Sequence, residues 1–144
     1  MQTNTTRLLL LAAESGNAAA QFNLAVLCDS RLDDNGYPME GDRTAAMKWL
    51  LAAAEQGLPR AQSKLAEMYA DAPAAPEDSI NACVWFLLAT TGLAGIHRHR
   101  AQSGYKRVSS RLTPAQLAKA RRLALNWKPN RNNKADEFSD DAPE

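Results

Sequence analysis

An acidic segment from Asp29 to Asp42 has side chains that could bind a cation. Its carboxylates could supply the oxygen ligands that calcium prefers. If Gly36 took the central glycine position of an EF-hand loop, however, Arg31 would fall at the first position, where the loop requires an acid. We therefore interpret the segment as a solvated connector between two helices and predict no metal site.

The sequence His97-Arg98-His99-Arg100 is the densest polar cluster of the chain. Two histidines at positions i and i+2 do not share a helix face, so they do not form a metal-binding pair, and a basic helix start is the better interpretation. The chain also lacks a nucleophile elbow, a P-loop and a His-Glu metal motif. We therefore expect a protein that is not an enzyme, with no catalytic residue, cofactor or metal.

Charge is distributed unevenly along the sequence, although the formal net charge is only +1. Residues 1–78 contain 11 acidic and 6 basic residues, residues 79–135 contain 11 basic and no acidic residues, and residues 136–144 contain 5 acidic residues. This pattern predicts a dipolar molecule with a basic C-terminal half.

The basic half suggests an alternative function as a surface for nucleic acid or another polyanion. Between Arg98 and Arg131, however, Tyr105 and Trp127 are the only aromatic residues. Few aromatic side chains are therefore present on which nucleic-acid bases could stack, and only the attraction between basic side chains and phosphates would remain. We therefore regard nucleic acid as the less favoured partner.

Parts of the segment from Ala53 to Tyr69 are repeated both upstream and downstream of it. Its Ala-Ala-Glu and Ala-Gln groups reappear 41 residues upstream, and Arg60-Ala61-Gln62-Ser63 reappears 40 residues downstream as Arg100-Ala101-Gln102-Ser103. A period of this length is typical of stacked helical repeats. Because alanine is frequent and aromatic residues make up only 6% of the chain, closely packed helices and an all-α fold are predicted.

Capping residues and apolar periodicity predict about seven helices, with Gly16, Gly57 and Gly92 as stops. We expect residues 1–128 to form one repeat domain and residues 129–144 to form a disordered acidic tail. The predicted helices are Asn4 or Thr5 to Glu14, Ala18 to Cys28, Asp42 as N-cap to Glu55, Pro59 to Ala70, Asp78 to Thr91, His97 to Ser110, and Thr113 as N-cap to Trp127.

The repeated positions resemble the Sel-one-like repeat (SLR) family, a relative of the tetratricopeptide repeat. The resemblance covers nearly all of Leu8 to Trp127, and the last helix resembles the closing helix of bacterial members. The clearest copy of the family pattern consists of Asp42, Ala46, Trp49, Ala53, Ala54, Gly57, Ala61, Leu65, Ala66 and Tyr69. Cys28 departs from the pattern because it stands where tyrosine is expected. The resemblance implies a right-handed α-solenoid of antiparallel helix pairs, with roughly three repeats, that acts as a scaffold for other proteins.

The resemblance also implies a partner-binding concave face, lined by the first helix of each pair. Helical spacing places eight candidate residues there, in a groove that is apolar at its N-terminal end and basic at its C-terminal end. Such a groove suits a protein or peptide with an apolar anchor and an acidic stretch. The alternative is that the apolar candidates pack in the core and the arginines are merely solvated. The candidates are Phe22, Val26, Arg60, Ser63, Glu67, Arg100, Ser103 and Arg107.

No stretch approaches the roughly 20 apolar residues of a membrane span. The leucine run after Arg7 aligns with a repeat helix, so we do not interpret it as a signal peptide. We expect a cytoplasmic monomer, or a periplasmic or secreted protein if a signal peptide was removed. Cys28 and Cys83 are interpreted as small buried hydrophobic residues.

Overall fold

The computed structural model describes residues 4–29, 43–71 and 75–130, with the backbone alone at Asn4 and Thr5. Within these ranges the chain forms seven α-helices and no strand, which confirms the predicted all-α class. The helices are α1 (Asn4–Glu14), α2 (Ala18–Asp29), α3 (Arg43–Glu55), α4 (Pro59–Asp71), α5 (Pro76–Gly92), α6 (Gly95–Ser109) and α7 (Pro114–Asn126). The acidic connector after Asp29, the Asp42 N-cap, the side-chain cap of α1 and the tail from residue 131 lie outside the described residues.

The chain divides into two compact units. The first contains α1 to α3 and the second, residues 57–129, contains α4 to α7. In the first unit α1 packs against α2, and in the second α4 packs against α5 and α5 against α6, as expected for antiparallel helix pairs joined by short connections. More than half of the buried hydrophobic residues in the described ranges are alanines, so the helices can approach closely.

The turn between α1 and α2 shows how the repeat positions fix local structure. Gly16 adopts a φ of 102°, its N–H donates to the Ala13 carbonyl, and the Asn17 N–H donates to the Ala12 carbonyl. These two hydrogen bonds form a Schellman end for α1. The Asn17 side chain then accepts from the Ala20 N–H at 2.8 Å, so the same turn caps α2.

One core cluster of the first unit lies between α1 and α2 and is contacted by Trp49 of α3. Ala13, Ala20 and Leu24 are buried there. Leu27 was predicted on the same face but is exposed. A buried glutamine, Gln21, donates to the Ala13 carbonyl at 3.1 Å and accepts from the Gln56 amide at 2.9 Å, which satisfies its polar groups inside the core.

The core of the second unit is larger and is centred on α5, against which α4, α6 and α7 pack. Phe86, Ala89 and Val108 are among its fully buried residues. Trp85 meets Trp127 edge to face, with ring centroids 6.2 Å apart, so the end of α7 is fixed to α5.

The ends of α5 differ from the prediction. The helix begins at Pro76, two residues before the predicted start at Asp78, and the Asp78 carboxylate accepts from the Ala75 N–H at 3.2 Å from within the first turn. At the other end Gly92 is still helical, and Leu93 leaves the helix in an extended conformation. A side chain at Gly92 would collide with Pro59, so close approach to α4 is what requires glycine there.

The predicted capping box of α7 is confirmed. The Gln116 N–H donates to Thr113 Oγ1 at 3.1 Å, and the Thr113 N–H donates to Gln116 Oε1 at 2.9 Å. Helical spacing in α7 predicts that Ala120 and Leu123 both point inward; Ala120 is buried, but the expectation is wrong for Leu123, which is 42% exposed.

Candidate functional site

A pocket of about 300 Å³ lies in the second unit, between α4 and α6. We call it the charged pocket, because two acidic and two basic side chains line it. Its lining is Glu67, Asp71, Phe86, Arg100, Ser103, Gly104 and Arg107. Four of the eight candidates predicted from the sequence, namely Glu67, Arg100, Ser103 and Arg107, are therefore brought together.

Two ion pairs cross the charged pocket. Arg100 Nε lies 3.6 Å from Glu67 Oε2, and Arg107 Nη2 lies 3.9 Å from Asp71 Oδ1. The sequence predicted a groove that is basic at its C-terminal end and includes Glu67; in the structure the two carboxylates of α4 lie beside the two guanidinium groups of α6. Both arginine side chains are largely exposed, so each pair contributes less than about 1 kcal/mol to stability.

Helical spacing explains how each helix supplies its part of the charged pocket. Glu67 and Asp71 are one turn apart on α4, and Arg100, Ser103 and Arg107 follow one face of α6. Asp71 was missed in the sequence, although continuing the row of candidates on α4 by one turn beyond Glu67 would have found it.

The ion pairs do not join residues at equivalent repeat positions. Arg100 aligns with Arg60 in the sequence but contacts Glu67 in the structure. The cross-pocket partners are thus shifted by one to two helical turns from the repeat alignment. Sequence periodicity gives the face of each helix, but the stagger between helices depends on how their surfaces pack.

The base of the charged pocket is formed where α6 crosses α5. Gly104 is buried against the ring of Phe86, which is 1% exposed. A methyl group on Gly104 would lie 2.5 Å from the ring, so only glycine permits this approach. The repeat spacing aligns Tyr105 with the buried Leu65 and so predicts its burial, but Tyr105 is only half-buried.

The other four candidates do not line the charged pocket. Arg60 is exposed and Ser63 is half-buried, both on α4 in the second unit. Phe22 is half-buried and Val26 is exposed, both on α2 in the first unit. The assignment of these four residues to a partner-binding face remains a prediction.

Much of the charge in the basic half is used inside the molecule. Arg98 donates to the Thr90 carbonyl at 3.0 Å, Arg111 donates to the Ala70 carbonyl at 3.1 Å, and Lys119 Nζ lies 3.6 Å from Glu77 Oε2. With Arg100 and Arg107, five basic side chains have partners within the second unit. These contacts reduce the support for a polyanion-binding surface, which stays an untested alternative.

Across the three described ranges, no group of three histidine, cysteine or carboxylate side chains is arranged to hold a metal ion. His97 and His99 are both exposed. Cys83 is fully buried, and burial raises the pKa of its thiol to about 11, whereas Cys28 is half-buried. None of the helices in the described part of the chain has the length and apolar content needed to cross a membrane.

No protein-family model matches this chain, and no curated protein sequence matches it. The structure is similar to the crystal structure of a protective antigen present in uropathogenic Escherichia coli strains and displaying an SLR fold. The TM-score is 0.69 at 28% sequence identity, and the match covers 96% of this chain and 28% of the antigen chain.

This similarity confirms the predicted SLR-like repeat and the α-solenoid class. Because the chain spans 28% of the length of the antigen chain, the antigen as a whole contains far more than the part matched here.

Proposed function

We propose that this protein is a non-catalytic interaction module that binds a segment of a partner protein in the charged pocket. The observation that carries the proposal is the two ion pairs across that pocket, in both of which the arginine side chain is largely exposed. The SLR fold supports the general role, because solenoids of this kind present extended surfaces to other proteins.

The chemistry of the charged pocket favours a polar partner segment that carries both signs of charge. A carboxylate on the partner could replace Glu67 or Asp71 beside an arginine, and guanidinium groups bind carboxylates with two parallel hydrogen bonds. The freed acid could then accept from a basic partner residue. Because each internal pair is weak, this exchange costs little.

Ser103 adds a hydroxyl that can donate or accept in the charged pocket. Arg60 and Ser63 lie on the same face of α4 as Glu67, so we propose that they extend the contact toward the start of that helix. The apolar anchor expected from the sequence has little to bind in the charged pocket, because the exposed lining is mainly polar.

The test compares a broken ion pair with a reversed one. The tagged full chain is used to capture proteins from the cells that produce it, and bound proteins are quantified by mass spectrometry. Arg100→Glu breaks the pair with Glu67, whereas Glu67→Arg combined with Arg100→Glu restores a pair of opposite polarity. We expect both variants to lose specific partners by about tenfold or more, because the partner would meet the wrong charge in each.

The reversed pair separates partner recognition from a structural role. If the pair only stabilised the fold, the double variant would recover capture that the single variant loses. Arg7→Glu, an exposed change on α1 in the first unit, is the matched control and should leave capture unchanged. Capture of the same proteins in the same amounts by all three variants would refute the charged pocket as the binding site.

A further inference from the structure

A second pocket of the same unit lies between the C-terminal halves of α5 and α7 and has a volume of about 440 Å³. We call it the apolar pocket. Its lining is Leu87, Leu88, Thr90, Thr91, Arg121, Ala124 and Leu125. It is on a different set of helix faces from the charged pocket, with which it shares no residue.

The wall of the apolar pocket offers few free polar groups. Thr90 Oγ1 donates to the Leu87 carbonyl and Thr91 Oγ1 donates to the Leu88 carbonyl, both at 2.7 Å. These hydroxyls are therefore satisfied within α5. A ligand in the apolar pocket gains mainly from burial of apolar surface.

The apolar surface continues onto the exposed side of α7. Leu125, which lines the apolar pocket, is 85% exposed. A single exposed leucine is ordinary, but an exposed apolar surface rimmed by polar residues marks sites that bind other molecules.

The rim of the apolar pocket is positively charged. Arg121 and Arg122 lie four and three residues before Leu125, so both flank it on the helix, and Lys128 follows shortly after the helix ends. All three are exposed, and α7 contains no acidic residue. In the described residues, the ion pair of α7 is made by Lys119 with Glu77, which leaves the charge around Leu125 unbalanced.

We infer that the apolar pocket binds a segment of a partner protein in which an apolar anchor residue is flanked by acidic residues. The anchor would cover Leu87, Leu88 and Leu125, while the acids would face Arg121 and Arg122. The sequence suggested this partner chemistry for the concave groove, but the structure provides it between α5 and α7. Nucleic acid matches the rim but has no apolar anchor for the pocket.

The probe is a fluorescent peptide with the sequence of residues 134–144 of this chain. It carries Phe138 between Asp136-Glu137 and Asp140-Asp141, so it has the required chemistry. Its binding is measured by anisotropy with the full chain and with a full-length Phe138→Ala variant. Tighter binding to that variant would mean that the chain's own C-terminal segment competes for the pocket, which supports the same ligand chemistry.

We expect Leu125→Asp to weaken binding of the peptide by about tenfold or more, because it places a charge at the apolar contact and repels the flanking acids. Arg121→Glu should weaken it about threefold to tenfold and reduce its salt dependence. Ile96→Asp is the matched control, since Ile96 is 78% exposed outside the pocket, and it should leave the affinity unchanged.

Three results would overturn the inference. The first is no binding of the peptide to either chain at about 1 mM, the weak end of measurable affinity. The second is binding that Leu125→Asp leaves intact while circular dichroism shows a folded protein. The third is a dimer, detected by sedimentation, that Leu125→Asp dissociates, because that result would assign the pocket to a second copy of the chain.

Discussion

Gly104 packs so closely against Phe86 that a single added methyl group should be measurable. In Gly104→Ala, the new Cβ would lie 2.5 Å from Cζ and 2.6 Å from Cε1 of the ring. Carbon atoms in contact are normally about 3.5 to 4.0 Å apart, so the ring or α6 must move by about 1 Å. The ring is 1% exposed and cannot turn into solvent. The movement must therefore disturb the packing of α5 against α6.

Two opposing effects set the size of the change. Alanine favours a helix interior over glycine by about 1 kcal/mol. Forcing an additional methyl group into a packed core costs about 1 to 3 kcal/mol, and sometimes more. Because the contact is much shorter than the normal distance to two ring atoms, the cost should lie at the upper end. We expect Gly104→Ala to lower the free energy of unfolding by about 1 to 2 kcal/mol.

Urea unfolding followed by circular dichroism measures this change. Gln102→Ala, an exposed position on the same helix, is the control and should change the free energy of unfolding by less than about 0.5 kcal/mol. Phe86→Leu removes part of the ring, so Gly104→Ala should be less costly in that background, with a coupling of about 1 kcal/mol. If Gly104→Ala instead stabilised the protein by about 1 kcal/mol, helix propensity would dominate and the close-contact argument would be refuted.

Two further predictions concern buried groups. Gln21→Ala should lower the free energy of unfolding by about 1 to 3 kcal/mol, because the Ala13 carbonyl and the Gln56 amide lose their partner; thermal unfolding no different from the unchanged protein would contradict this role. Cys83 should react with iodoacetamide far more slowly than Cys28 at pH 8, since burial raises the pKa of Cys83 to about 11 and keeps the thiol protonated below that pH. Peptide mapping measures the reaction rates of both cysteines. In the control, protein unfolded in urea, the two rates should become similar. Equal rates in the folded protein would contradict the prediction.

Most of the fold could be predicted from the sequence because the repeat positions are determined by local physical requirements. Ala46, Ala53 and Leu65 are buried where helical periodicity placed them. Gly16 ends α1 because it can adopt positive φ. The start of α5 was predicted two residues too late, at Asp78, because the repeat alignment was followed although proline is favoured at the first helical position, where Pro76 lies.

The candidate site could be predicted only in part. Periodicity identified the faces of α4 and α6 that meet, so Glu67, Arg100 and Arg107 were found. It could not identify the partners across the charged pocket, because these depend on the stagger between helices. The exposed Leu125 was missed because it is not on the predicted inward face of α7, and only the packing of α7 against α5 shows that it lines a pocket.

In the second unit, some of the basic residues of the C-terminal half form ion pairs with acidic residues from earlier in the sequence. The basic residues Arg100, Arg107 and Lys119 each meet an acid that lies 33 to 42 residues earlier, about one repeat away. Each exposed pair is weak, but the three together favour one register between neighbouring helices over registers that place like charges together. Arg121 and Arg122 have no such acid in the described residues. Arg121 and Arg122 are thus basic residues that do not align the repeats, and in our inference they face the acidic residues of a partner beside the apolar pocket.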